Sequence, residues 1–114
     1  MAIKSRINHT KASPTGAGIV KIAGIQMASG PNVSANLSEA ERLIKIAAEQ
    51  GAKLIVLPEY FAIMGVKDTD KVKASEKEGT GPIQQFLSST AKKRDVWIVA
   101  GSIPLQSENK DKVY

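Results

Sequence analysis

Residues 20–114 predict an α/β layered fold, and three observations carry that prediction. Apolar, β-branched runs of strand length alternate with segments whose apolar residues recur every three or four positions. The order along the chain is β-α-β-α-β, which builds a layered sheet. One of the runs, Leu54-Ile55-Val56-Leu57, is apolar throughout, as expected of a strand covered on both faces. Right-handed crossovers then lay the helices over the sheet.

The first strand is read over residues 20–27, where Val20, Ile22, Ile25 and Met27 alternate in part with smaller or polar residues. Ser29-Gly30-Pro31-Asn32 is turn chemistry leading into a helix. In that helix Leu37, Ala40, Leu43, Ile44, Ala47 and Ala48 share one face, and Glu39, Glu41, Arg42, Lys45 and Glu49 take the other. Asn32 or Ser34 caps its start, and Gly51 stands where a left-handed residue ends a helix. The apolar strand 54–57 follows and stops at Pro58, which has no N–H for the ladder. Residues 59–80 lack a regular pattern, and a loop that long in a compact domain is commonly functional. Within it, the alternating charges of residues 67–78 read as a solvated short helix or lid. Gly81-Pro82 opens a second helix with an inner stripe of Ile83, Phe86, Leu87, Thr90 and Ala91. Lys92, Lys93 and Arg94 complement the dipole at its end. A third strand is read over 96–103, a loop over 104–111, and the opening of a fourth strand over 112–114. A chain that stops three residues into an apolar strand looks interrupted.

Residues 1–19 read as a flexible basic arm. Lys4, Arg6, Lys11 and Lys21 make the first 21 residues purely basic, whereas residues 22–114 balance twelve basic side chains against eleven acidic ones. The net charge of +5 therefore sits mostly in the arm and does not make the body a nucleic-acid surface. Five aromatics (Tyr60, Phe61, Phe86, Trp97, Tyr114) are too few for a base-stacking platform. No run approaches the length of a membrane span and residues 1–18 hold no secretory apolar core, so a cytoplasmic protein is expected. The absence of cysteine among 114 residues excludes disulfides, cysteinyl metal sites and a cysteine nucleophile from this chain. No cofactor or metal is expected: there is no phosphate-cradling glycine run, no dinucleotide fingerprint, and the single histidine, His9, has no ligand-type neighbour. Ser102 has neither a nucleophile elbow nor a histidine partner.

In open α/β sheets, catalytic groups gather at the carboxyl ends of strands. Glu59 stands there, directly after the apolar strand and Pro58. Partial desolvation at such a tip favours a carboxylate acting as general base. A solvated loop glutamate, or one capping a nearby helix, would look the same from these residues.

The run Gly51-Ala52-Lys53-Leu54-Ile55-Val56-Leu57-Pro58-Glu59-Tyr60-Phe61 resembles the first signature of the nitrilase, or carbon–nitrogen hydrolase, superfamily. Residues 21–27, Asn36-Leu37, Ala47-Ala48, Gly81-Pro82, Phe86-Leu87-Ser88, residues 96–105 and Lys112-Val113-Tyr114 continue the resemblance in order. Met64-Gly65 is similar to the Nit-type amidases. The resemblance implies the N-terminal portion of a four-layer αββα sandwich, truncated, over residues 20–114. It further implies a Glu-Lys-Cys triad acting on a small-molecule amide or nitrile, in an enzyme that forms homo-oligomers. Glu59 matches the triad's base. The family lysine lies beyond the strand that Lys112 begins, and the cysteine further on, so neither has a counterpart here. Tyr60 and Phe61, beside Glu59, are candidates for lining the substrate pocket, although aromatics after a strand also serve packing. A chain holding the base without the nucleophile is expected to be inert alone. The competing expectation is a non-enzymatic α/β binding or interaction module that keeps the scaffold without the chemistry.

Overall fold

The computed structural model describes residues 18–113 and, of the stretch before them, the backbone of Ala2–Lys4 and Lys11–Ala12. His9, Tyr114 and most of the basic arm lie outside the described residues.

A four-stranded sheet forms the centre. In chain order its members are β1 (Ala2–Lys4), β4 (Lys21–Gly24), β5 (Ala52–Val56) and β6 (Trp97–Val99), arranged β1-β6-β5-β4. A separate two-stranded ribbon pairs β2 (Lys11–Ala12) with β3 (Gly18–Ile19). β4, β5 and β6 run parallel, with Ile22 opposite Leu54 and Leu54 opposite Trp97, while β1 lies antiparallel on β6. The parallel core is the β-α-β-α-β order read from the sequence. Helix α1 (Val33–Glu49) crosses from β4 to β5, and α3 (Pro82–Arg94) crosses from the loop after β5 to β6. A five-residue helix, α2 (Thr69–Lys73), interrupts the long loop, in the stretch read as a solvated short helix or lid.

The helix ends follow from their residues. The Asn32 side chain accepts the Ala35 N–H at 2.9 Å, satisfying one of the donors a helix start leaves open. Pro82 occupies the first turn of α3, and Asp95 ends it in the left-handed region at φ 55°.

The core lies between the sheet and the two long helices. Ala40, Ile44 and Ala47 of α1 and Ile83, Leu87 and Ala91 of α3 pack over Ile55 and Ile98, both fully buried. Strand side chains alternate in direction, so the other sheet face carries Ile22, Leu54, Val56, Trp97 and Val99. This face corrects the expectation that the apolar strand is covered on both sides. Leu54 is only partly buried, Val56 is 37% exposed and Ile22 is 60% exposed. Helices cover one face of the sheet, and the described residues leave the other open.

Candidate active site

The sheet ladder runs on past β5: the Ile25 N–H donates to the Val56 carbonyl at 2.8 Å, and the Leu57 N–H to the Val99 carbonyl at 2.8 Å. Pro58 then ends it. Tyr60 adopts the left-handed conformation (φ 57°), which disfavours a residue with a Cβ by about 1 kcal/mol. That turn sends the next side chain, Phe61, back into the core, where it is fully buried with its ring 6.5 Å from that of Phe86. Glu59 and Tyr60 are left at the strand tip.

The turn is held by polar groups on the β4–α1 connection. Ser29 Oγ donates to the Phe61 carbonyl at 2.8 Å. Asn36, 5% exposed, donates from Nδ2 to the carbonyls of Ala62 (2.9 Å) and Gly30 (2.8 Å), and its Oδ1 accepts the Gly30 N–H at 2.9 Å. A buried amide satisfied this fully fixes one loop against the other, because losing any partner leaves a desolvated polar group unpaired.

Glu59 meets the loop that follows β6. Its Oε2 accepts the Ser102 N–H at 3.1 Å. Gly101 lies against it with φ 61°, and a Cβ there would stand 3.2 Å from Glu59 Oε1 and 3.3 Å from Glu59 Cα. Glycine answers both demands, the left-handed backbone and the close approach. Desolvation does not hold this carboxylate: Glu59 is exposed, because it stands beyond the last rung of the sheet. Main-chain donation to Oε2 fixes it instead, with Oε1 lying toward Gly101.

Ser102 also lines a small cavity of about 110 Å³, shared with Tyr60, Ile63, Lys71, Ile103, Pro104 and Val113. Lys71 Nζ stands 3.3 Å from the centroid of the Tyr60 ring, a cation–π contact that steadies both side chains. Of the two aromatics proposed from the sequence, Tyr60 reaches this cavity and Phe61 does not. Lys71 and the Gly101-Ser102 backbone were not singled out as site members in the sequence. A glycine directly after an apolar strand was the available signal for the second; the first had none. Glu59 is not itself a lining residue of this cavity, which it borders through its neighbour Tyr60 and its partner Ser102. A larger groove of about 840 Å³ runs between α1 and α3 and shares no lining residue with it. No group of three or more metal-ligating side chains occurs among the described residues, and no helix there is long and apolar enough to cross a membrane.

A parallel sheet with a backbone-held carboxylate at the tip of an interior strand defines the strand-end site of an α/β protein. The carbon-nitrogen hydrolase family profile matches residues 21–114. A deaminated glutathione amidase of Synechocystis is 43% identical over 82 residues, 72% of this chain and 29% of that protein. The omega-amidase NIT2 of Danio rerio is 38% identical over 90 residues, 79% of this chain and 32% of its own length. Among solved structures, Saccharomyces cerevisiae Nit3, a member of branch 10 of the nitrilase superfamily, superposes with a TM-score of 0.71 at 31% identity, covering 83% of this chain and 37% of that one. The Caenorhabditis elegans NitFhit protein shares the fold, with a TM-score of 0.66 at 21% identity over 82% of this chain and 23% of its own. The chain belongs to the carbon-nitrogen hydrolase family. It spans about a third or less of the length of the curated relatives it matches.

Proposed function

We propose that Glu59 is the proton acceptor of a Glu-Lys-Cys amidase site and that this chain supplies that residue and its setting. The observation that carries the reading is the carboxylate at the end of β5, held through one oxygen by the Ser102 N–H. In such a site the glutamate takes the proton of the cysteine thiol, and the thiolate attacks the carbon of a small-molecule amide. Ammonia leaves with a proton, and water, deprotonated by the same glutamate, opens the thioester. The lysine stabilises the negative charge that develops on the substrate oxygen. Tyr60 forms a wall of the pocket, and Phe61 is packing behind it. Amide substrates are supported by the names of the relatives, a deaminated glutathione amidase and an omega-amidase.

The chain holds no cysteine, so by itself it has no covalent route. General base assistance alone contributes about 10²–10⁴-fold, far less than amide hydrolysis requires. Purified chain is therefore expected to hydrolyse amides no faster than buffer does. The positive test grafts residues 21–114 in place of the matching segment of the Synechocystis relative. The chimera is expected to retain amidase activity, and Glu59→Gln within it to lower kcat by about 10²–10⁴-fold. A folded but inactive chimera would favour a scaffold kept without chemistry, and an E59Q chimera at full rate would remove Glu59 from the mechanism.

A further inference from the structure

Glu76 is the one acidic residue of the charged stretch 67–78 that the fold buries, at 6% exposure. Its carboxylate accepts the Ile83 N–H at 2.5 Å, the Gln84 N–H at 3.0 Å and Gln84 Nε2 at 3.2 Å. Gly81 gives way to it: a Cβ there would lie 2.4 Å from Glu76 Cδ. The main chain of the same residue reaches the opposite way. Its N–H donates to the Pro104 carbonyl at 2.9 Å and its carbonyl accepts the Gln106 N–H at 2.9 Å, an isolated bridge centred on Leu105.

This bridge matters for the site because of what lies upstream. β6 ends at Val99, and residues 100–104 belong to no regular element. Gly101 and Ser102, which position Glu59, are thus suspended between the last rung of β6 and the Glu76 bridge. We infer that Glu76 is a positioning residue for Glu59: its side chain anchors it to the start of α3, and its backbone sets where the Ser102 N–H points. The inference rests on Glu59 being the proton acceptor.

The test is NMR on the full chain, with the Ser102 amide proton as probe. Glu59→Gln replaces a charged acceptor by a neutral one, which weakens the bond, and is expected to move that proton upfield. In a Glu76→Gln background the same substitution is expected to move it by less than half as much, while the methyl signals of Ile44, Ile55 and Ile98 keep their positions. Gln106→Pro, which removes the N–H donated to Glu76 and touches neither carboxylate, is expected to act like E76Q and decides the matter should E76Q not fold. A full-sized response in either background overturns the role of Glu76 alone. So does a shift of all the core methyls in Q106P, because the effect is then on the whole fold. A native chain in which E59Q leaves Ser102 unmoved overturns the Glu59–Ser102 contact, and with it both the site and this inference.

Discussion

Two backbone conformations decide where the Glu59 carboxylate stands: the left-handed turn at Tyr60 and the left-handed glycine at 101. The first is strained and the second is not, so a side chain at 101 tests the arrangement. Gly101→Ala places a methyl 3.2 Å from Glu59 Oε1 in a conformation alanine disfavours. The expected cost is about 1–2 kcal/mol, seen as a fall of roughly 5–10 °C in thermal midpoint for a domain of this size. Unchanged melting would mean that Gly101 does not pack on Glu59. At this scale the sequence was partly legible. Glu59 stood out because a proline stops an apolar strand directly before it. Its partner did not, because the donor is a main-chain N–H 43 positions away, and backbone groups carry no residue signature. Glu76 was hidden differently, since its neighbours in residues 67–78 are solvated charges and nothing local distinguishes the one that turns inward.

Among the elements, the helices were the most legible, because amphipathic periodicity, an asparagine cap and a first-turn proline all act within a few residues. β5 was less so: an apolar run reports what a strand can bury, and whether a layer covers its second face depends on distant chain. The contact between α1 and α3 adds an ionic term that periodicity cannot show. Glu41 on α1 accepts Arg94 Nη2 at 2.8 Å and lies 3.5 Å from Lys93 Nζ, both on α3. Partial burial raises the proton affinity of Glu41, but the Arg94 hydrogen bond and charge, with Lys93 behind them, outweigh it and hold the carboxyl below the ordinary glutamate range. A depressed carboxyl favours folding at pH values above its unfolded pKa, and that contribution is lost as pH falls through the folded value. Acid titration should therefore destabilise the native chain more than Glu41→Gln. At neutral pH the variant should be less stable by about 1 kcal/mol, with the gap closing in acid. Parallel stability curves from neutral to acid pH would show that the pair contributes nothing.

For the molecule as a whole, the open sheet face dominates. Ile22, Val56 and their neighbours Leu54, Trp97 and Val99 form an apolar surface with no layer over it among the described residues, in a chain matching about a third or less of its relatives' length. Solved relatives superpose on this piece with only 23–37% of their own chains, so the layers around it in those proteins come largely from sequence this chain does not match. Apolar surface gains roughly 25 cal/mol for each Å² removed from water, and contiguous patches of this kind drive association. At micromolar concentration the chain is expected to sediment as more than a 12.2 kDa monomer and to bind a hydrophobic dye such as ANS. Placing a charge on the face by Ile22→Lys, on the outer strand of the sheet, should reduce both signals while leaving the helical circular dichroism unchanged, because Ile22 points away from α1 and α3. The site at the end of β5 lies at the rim between the helix-covered face and the open one. A native chain that is monomeric, dye-negative and melts in one sharp transition would mean that this face is already covered, and the picture of an open half-sandwich would have to be abandoned.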